Sequence, residues 1–233
     1  MRKKIRVFGL VSLFLAVAFI GIGSYFIREY YLLPLDRFNY QVSNDNPEAA
    51  REELDNLRYF YDLTAKWKVK WLADRFLFRD AYLRDAQYYF LIGDFQRVIN
   101  DENLKNSDDY RAAQLVGSAM FRDFKARYEN AKTSREREEI VKLVVSEVSS
   151  YFEKALRKGP AFSYPDANFD YRWNYDIASD PSSAKRAMES KQPMPRFKLG
   201  LEPGQSPRDK PEPSDRKLNE EKQPGTSPNK RGG

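Results

Sequence analysis

The chain has 233 residues, with 40 Lys and Arg against 34 Asp and Glu, a formal net charge of +6 and an isoelectric point near 9.2. It contains no His and no Cys, which excludes disulfides, thiolate nucleophiles, imidazole bases, and zinc or iron sites of the usual Cys/His kind. Any chemistry would have to rely on Asp, Glu, Lys, Tyr or Ser side chains.

The N-terminus has the pattern of a membrane anchor. Residues 1–6 carry four basic side chains, and residues 7–27 carry no charge at all. As a helix that run reaches roughly 30 Å, the thickness of the hydrocarbon core of a bilayer. The positive-inside rule places residues 1–6 in the cytoplasm and the rest of the chain on the periplasmic or extracellular side. The sequence therefore predicts a single-pass signal anchor in the cell (inner) membrane that contacts lipid through residues 7–27.

Two other interpretations of this run remain open. A cleaved signal peptide would need small residues at a peptidase site, and Ala16-Val17-Ala18 and Gly21-Ile22-Gly23 both provide them. Both sites lie inside the apolar run rather than after it, which favours the uncleaved anchor. The third interpretation is a buried helix of a soluble domain.

If the run spans the membrane, an aromatic belt at the membrane interface is predicted at Tyr25, Phe26, Tyr30 and Tyr31.

Residues 32–45 are polar and include Pro34, which predicts a short stalk or ordered linker over residues 28–46, between membrane and domain. Asn46 followed by Pro47 and Glu48 is typical of a helix start, because Asn caps well and proline is tolerated in the first turn. The alternation of Trp and Lys in residues 67–71 lies between two helical patterns, and we interpret it as helix or as a helix junction.

The rest of the predicted domain, residues 47–180, also has helical periodicity. One helix is expected over residues 74–92, ending at Gly93-Asp94, and another begins at Phe95. Later helices are expected over about 110–132, from Thr133 with Glu136 as a capping pair to Gly159-Pro160, and from 166 or 168 to about 178, closed by Asp180-Pro181. No stretch has the alternation of a sheet, so the predicted fold class is all-α.

The composition changes after about residue 190. Eight of the 13 prolines lie between Pro193 and Pro228, among Lys, Arg, Glu, Ser and Gly. Such a segment cannot bury enough apolar surface to offset its chain entropy, so residues 190–233 are expected to be a disordered, basic tail. This tail and residues 1–6 account for the positive net charge, which argues against nucleic acid as the partner.

One stretch resembles a tetratricopeptide repeat, the helical-hairpin repeat of many protein-binding scaffolds. Its residues are Tyr82, Ala86, Tyr89, Gly93, Asp94 and Phe95, and residues 152–156 with Pro160 resemble the end of a second helix of the same family. The resemblance implies paired helices in which the small residue admits the partner helix and the glycine permits the turn.

Residues 166–176 resemble the Asp-x-x-Arg/Lys-x-Asn motif that follows the last repeat in membrane-anchored proteins encoded beside MoxR-type ATPases and von Willebrand factor A domain proteins, including the MxaK type. This resemblance implies an accessory role in the maturation, or metal loading, of an exported protein such as a dehydrogenase. A von Willebrand A domain protein would then be the partner.

Few residues suggest a specific site. The spacing of Asp166, Asn168 and Asp170 matches the start of a calcium loop, but Tyr171 and Ile177 occupy the positions that need Gly and Glu. The Asp101-x-Asn103 spacing is weaker still. Acidic residues mostly alternate with basic ones, as on solvated helix faces. The candidate partner-binding cluster is Arg172, Trp173, Asn174 and Tyr175, against the alternative that this helix simply caps the last repeat.

The sequence thus favours a membrane-anchored scaffold or assembly factor that binds another membrane or periplasmic protein, with no enzymatic activity, cofactor, metal or small-molecule substrate indicated. The alternative is an envelope structural protein that binds an anionic polymer or a membrane surface through its basic tail. A hydrolase using two carboxylates has no support in the sequence.

Overall fold

A computed structural model describes residues 21–159 and 165–190. Throughout this part of the chain every regular element is helical, which confirms the all-α prediction. The helices are α1 (Leu33–Ser43), α2 (Pro47–Lys66), α3 (Lys70–Phe76), α4 (Ala81–Leu91), α5 (Phe95–Asn100), α6 (Glu102–Asn106), α7 (Tyr110–Asn130), α8 (Ser134–Leu143), α9 (Ser149–Lys158), α10 (Pro165–Ser179) and α11 (Pro181–Glu189). Two π-helical turns, Arg28–Leu32 and Val144–Val148, lead into α1 and join α8 to α9.

The predicted anchor and tail fall largely outside this region. Residues 1–20, which include most of the expected span over 7–27, and residues 191–233 are not among the described residues. In the part that is described, no helix is both long and apolar enough to cross a bilayer.

Residues 28–46, predicted to be a short stalk or an ordered linker, are helical through Ser43. Pro34 lies in the first turn of α1, directly after the π turn Arg28–Leu32, and proline is tolerated in the first turn of a helix. Phe38 is completely buried and packs against Ala50 and Leu54 of α2. The polar residues noted in the sequence lie on the outer side of a helix that belongs to the domain.

Several predicted helix starts are confirmed by their caps. The side chain of Asn46 accepts a hydrogen bond from the amide of Ala49, and Asp109 accepts one from the amide of Arg111. Thr133 and Glu136 form a complete capping box at the start of α8. Gly93 has a φ of +79° in the turn between α4 and α5.

The single helix expected over residues 74–92 is broken. The chain leaves the helix after Phe76 and re-enters it at Ala81, and the amides of Leu77 and Phe78 both donate to the Ala73 carbonyl, at 2.9 and 2.8 Å. The break places the Phe78 ring 4.9 to 6.3 Å from the rings of Tyr31, Phe60 and Tyr61. Burial of this ring outweighs the helical periodicity that the sequence shows.

The main core is formed by residues of the helices from α4 to α11. Its fully buried side chains include Leu104, Leu115, Val98, Val116, Val144, Val148 and Met188. Helices α7 and α9 approach closely where Gly117 faces Phe152, since a Cβ on Gly117 would lie only 2.8 Å from the ring. This closeness depends on the absence of a side chain at residue 117.

Helix α11 was not expected from the sequence. Asp180 and Pro181, interpreted as the end of a helix, instead start one: the Asp180 carboxylate accepts from the Ser183 amide at 2.7 Å. Ala184 and Met188 are buried in the main core. Together with α1, this helix extends the folded body beyond the predicted bounds 47–180 on both sides.

Candidate functional site

The four predicted partner-binding residues are consecutive on α10, so their side chains point in different directions around the helix. Arg172 and Trp173 are exposed, with Trp173 at 36%. Tyr175 is partly buried against the main core, and Asn174 is half-buried. The structure therefore presents Arg172 and Trp173 as surface groups and uses Tyr175 in packing.

The neighbouring residue Tyr171 has a structural role. It is 3% exposed, and its ring packs edge-on against Tyr110 of α7 at 5.7 Å. Tyr171 shares a small cluster with Ala113 and Ala155. This contact holds α10 on the α7–α9 pair, so the orientation of Arg172 and Trp173 on the surface is set by packing beneath them.

Of the two calcium-like spacings, the structure describes the side chains of Asp101 and Asn103 only. Asp101 accepts hydrogen bonds from the amides of Asn103 and Leu104 at 2.8 and 3.4 Å, and thus caps α6. The side chains at 166, 168 and 170 lie outside the described residues. Within the described part of the chain, no three acidic side chains converge as a metal-binding group.

Arg111 links the starts of α4 and α7. Its guanidinium donates to Asp80 at 2.6 Å and to Asp109 at 2.7 Å. Burial alone would raise the pKa of Asp109, but hydrogen bonds from Arg111 outweigh it and hold that pKa below its usual range. Asp109 is therefore a paired anion, and Asp80 bonds the same guanidinium, which suits a structural joint rather than acid–base chemistry.

A buried cation, Arg84, could not be identified from the sequence. Arg84 is 7% exposed and lies over the rings of Tyr31 and Phe78, at 5.8 and 5.5 Å from their centroids. The Tyr31 hydroxyl donates to the Leu77 carbonyl. Tyr31 is thus a core residue and not part of an interfacial belt. The cation–π contact between Arg84 and Tyr31 joins α4 to the N-terminal helix, residues 21–43. In the sequence, the only sign that Arg84 is buried is its position between the apolar residues Leu83 and Ala86.

The most unusual surface is the aromatic elbow, which we define as residues 67–76. The exposed fractions are 48% for Trp67, 64% for Trp71 and 68% for Phe76. The elbow bends at Lys68, whose φ is +57°, and this confirms the helix junction expected there. Soluble monomers rarely expose such large neighbouring side chains, so this surface is a candidate contact.

The elbow contacts the N-terminal helix. The rings of Phe26 and Trp67 meet edge-to-face at 5.6 Å, Phe26 stacks on Tyr30 at 5.5 Å, and Tyr30 stacks on Phe60 at 6.2 Å. A series of rings therefore connects residue 26 to α2 and to the elbow.

Polar contacts hold the elbow in shape. The Tyr61 hydroxyl donates to Asp74 at 2.7 Å, and this hydrogen bond raises the pKa of Tyr61. Lys70 lies over the Tyr61 ring at 5.0 Å, and its contact with the hydroxyl raises the pKa of Lys70. Lys70 consequently remains a cation at any physiological pH.

A shallow depression lies between the end of α7 and α8. Its floor is Ile140 and Leu143, and its rim carries Arg127, Glu136 and Glu139. Leu143 is 38% exposed. An apolar floor with charges of both signs at its edge suits a short contact with another protein.

No protein-family model, curated protein or solved structure matches this chain.

Proposed function

We propose that this is a single-pass membrane protein whose extracytoplasmic helical domain binds another protein, as a scaffold or assembly factor. The observation that carries the proposal is the way the N-terminal helix enters the domain. Residues 21–43 are helical, and Tyr31, Pro34 and Phe38 of this stretch are buried in the domain. An anchor over residues 7–27 would thus be coupled directly to the folded body.

A tetratricopeptide-like organisation is supported by the pairing of consecutive helices. Helices α4 and α5 form a hairpin with the buried Ala86 on one side and the turn at Gly93. The later helices α7 and α8–α9 pack together along Gly117 and Phe152. Helix α5 has only six residues, so any repeat here is shortened.

The partner surface we propose includes Arg172 and Trp173. Large aromatic and Arg side chains at a surface are typical of the residues that dominate protein–protein binding. Following the resemblance to the MxaK type, the partner would be a von Willebrand A domain protein, and the protein would assist maturation or metal loading of an exported dehydrogenase. We propose no catalytic role and no cofactor.

The topology can be tested with single cysteines, because the chain has none of its own. Lys3→Cys and Glu138→Cys place one thiol on each side of the expected span; Glu138 is exposed on α8. In intact spheroplasts, an impermeant maleimide should label the E138C protein and should label the K3C protein only after lysis. The reverse pattern, or recovery of both proteins in the soluble fraction, contradicts the proposed anchor.

The partner can be tested by site-specific photocrosslinking in native membranes. A photoreactive amino acid at Trp173 should crosslink a von Willebrand A domain protein, whereas the same group at Tyr40 should not. Tyr40 is 66% exposed and lies on α1, so it is a matched surface control. Absence of that protein from the Trp173 adducts, or equal yields from both positions, argues against the family assignment.

A further inference from the structure

We propose that the aromatic elbow, residues 67–76, lies in the headgroup region of the bilayer and binds anionic lipid. This inference rests on the proposed membrane anchor. It extends that proposal because it assigns a second, non-spanning membrane contact to a segment 40 and more residues further along the chain. The occupant of the exposed aromatic surface is then the lipid interface rather than a protein.

The elbow lies beside the end of the predicted span. The uncharged run ends at residue 27, and Phe26 is the residue that contacts the Trp67 ring, at 5.6 Å. If residues 7–27 span the bilayer, this contact puts Trp67 at the level where the span ends. Trp and Tyr are enriched at this depth because their rings have an apolar body and a polar edge.

The elbow exposes several large apolar side chains. Trp71 and Phe76 are about two-thirds exposed, and Val69 and Leu72 are also exposed, at 36% and 39%. Tyr25, one helical position before Phe26, is 61% exposed. These side chains would rest in the upper acyl region, where apolar groups are removed from water.

The elbow also has an excess of basic side chains. The elbow carries Lys68, Lys70 and Arg75 against a single acid, Asp74, and Lys66 precedes it. Asp74 accepts the hydrogen bond of Tyr61, while the basic residues Lys68, Lys70 and Arg75 are exposed. Basic side chains among aromatic ones at a bilayer surface complement the phosphates of anionic headgroups. A protein partner would explain the aromatic residues but not their alignment with the end of the predicted span.

The three tryptophans of the chain make the test direct. Trp67 and Trp71 lie in the elbow, and Trp173 lies on α10. The variant W67F/W173F reports on Trp71 alone, and the variant W67F/W71F reports on Trp173 alone. Each full-length protein is reconstituted into vesicles of phosphatidylcholine with phosphatidylglycerol, with or without lipids that carry bromine high on the acyl chain.

We expect bromolipid to quench Trp71 several-fold more strongly than Trp173, and we expect acrylamide in the aqueous phase to show the opposite order. Substituting Lys68 and Arg75 by Gln should weaken the quenching of Trp71, whereas R135Q/K142Q, which changes two exposed basic residues of α8, should leave it unchanged. If bromolipid quenches Trp71 as strongly in vesicles of phosphatidylcholine alone as in vesicles that also contain phosphatidylglycerol, the role of anionic lipid is overturned.

The outcomes separate this inference from the proposed function. Protein that alkaline extraction releases from the vesicles has no spanning anchor, and both proposals then fail. If the protein resists extraction but acrylamide quenches Trp71 as readily as Trp173, the anchor is retained and the elbow contact is overturned. Protection of Trp71 from acrylamide without quenching by bromolipid would indicate a protein on this surface and would also overturn it.

Discussion

Gly117 of α7 lies directly beneath the ring of Phe152 of α9: a Cβ on Gly117 would come within 2.8 Å of Cε1 and 3.0 Å of Cδ1 of that ring. It would also lie 3.2 Å from the Cβ of Tyr151. Two long helices of the main core are thus separated by a distance that only glycine allows. This pair decides how α9, and through it α10 with Trp173, is placed on the domain.

We predict that Gly117→Ala destabilises the domain, although alanine is the better helix former. Overpacking of this kind costs about 1–3 kcal/mol, against a gain of about 1 kcal/mol in helix propensity. The free energy of unfolding, measured with urea, should fall, while Ser118→Ala on the same helix should change little. The double variant with Phe152→Leu should lose less than the sum of its two parts. Strict additivity would mean that the two residues do not interact.

Gly93 offers a contrasting case, because nothing lies within 4 Å of a Cβ built there. Its φ of +79° is the only obstacle to a side chain. Gly93→Ala should therefore cost about 1 kcal/mol through backbone strain, and Gly93→Asn should cost less because Asn tolerates this conformation better. Thermal unfolding of the two variants checks the order, and an Ala variant as stable as the parent would contradict it.

Phe38 tests whether the segment before α2 belongs to the folded domain. Phe38 is fully buried, whereas Tyr40 on the same helix is 66% exposed. Phe38→Ala should lower the free energy of unfolding by about 3–5 kcal/mol through cavity formation, and Tyr40→Ala should have little effect. If both variants unfold like the parent protein, α1 is a linker that does not contribute to the stability of the domain.

The Arg111 joint predicts a specific dependence on pH. Because Arg111 keeps the pKa of Asp109 below its usual value, this pair stabilises the fold above about pH 4, and its contribution is lost as the pH falls through the lower, folded-state pKa. Arg111→Gln should cost roughly 1 kcal/mol near neutral pH, and this cost should shrink as the pH falls below about 4. Arg135→Gln, on an 89% exposed side chain, is the control. A cost independent of pH would show that Arg111 acts only by packing.

Truncation distinguishes the helical body from the tail. Removal of everything after Ala187 deletes Met188, which is 2% exposed, and the Glu189 carboxylate that accepts from the Tyr128 hydroxyl at 3.0 Å. Removal after Ser190 leaves both in place. We expect the shorter protein to melt several degrees lower and the longer one to melt as the parent does. If the longer protein also loses envelope localisation, the tail is the binding element and the alternative function gains support.

Comparison of particular elements shows what the sequence could predict. Local signals were sufficient for the caps at Asn46, Asp109 and Thr133, because each involves contacts within four residues. The burial of Phe38 depends on Ala50 and Leu54, 12 and 16 positions away, and the break at Phe78 depends on rings 17 or more positions away. Helix α11 was missed because Asp-Pro signals both the end of one helix and the start of the next.

The candidate site was only partly predictable for the same reason. The sequence indicated Arg172 and Trp173, and both lie at the surface, but it gave no means to separate them from Tyr175, whose packing depends on the main core. Trp67, Trp71 and Phe76 are large apolar side chains of the kind that usually lies in a core, yet all three are exposed. The contact of Trp67 with Phe26 joins positions about 40 residues apart, which no local pattern records.

The π turn at Val144–Val148 has a consequence for how this chain could change over time. A π turn holds one residue more than an α-helical turn requires, and here it keeps Val144, Val148 and Phe152, spaced four apart, on one face. Deleting one residue inside the turn would convert it to α-helix with little rotation of α9. The same deletion elsewhere in α8 or α9 would rotate the following helix by about 100° and turn its buried face outward. Length variants of this protein should therefore differ at this turn before they differ anywhere else in the long helix.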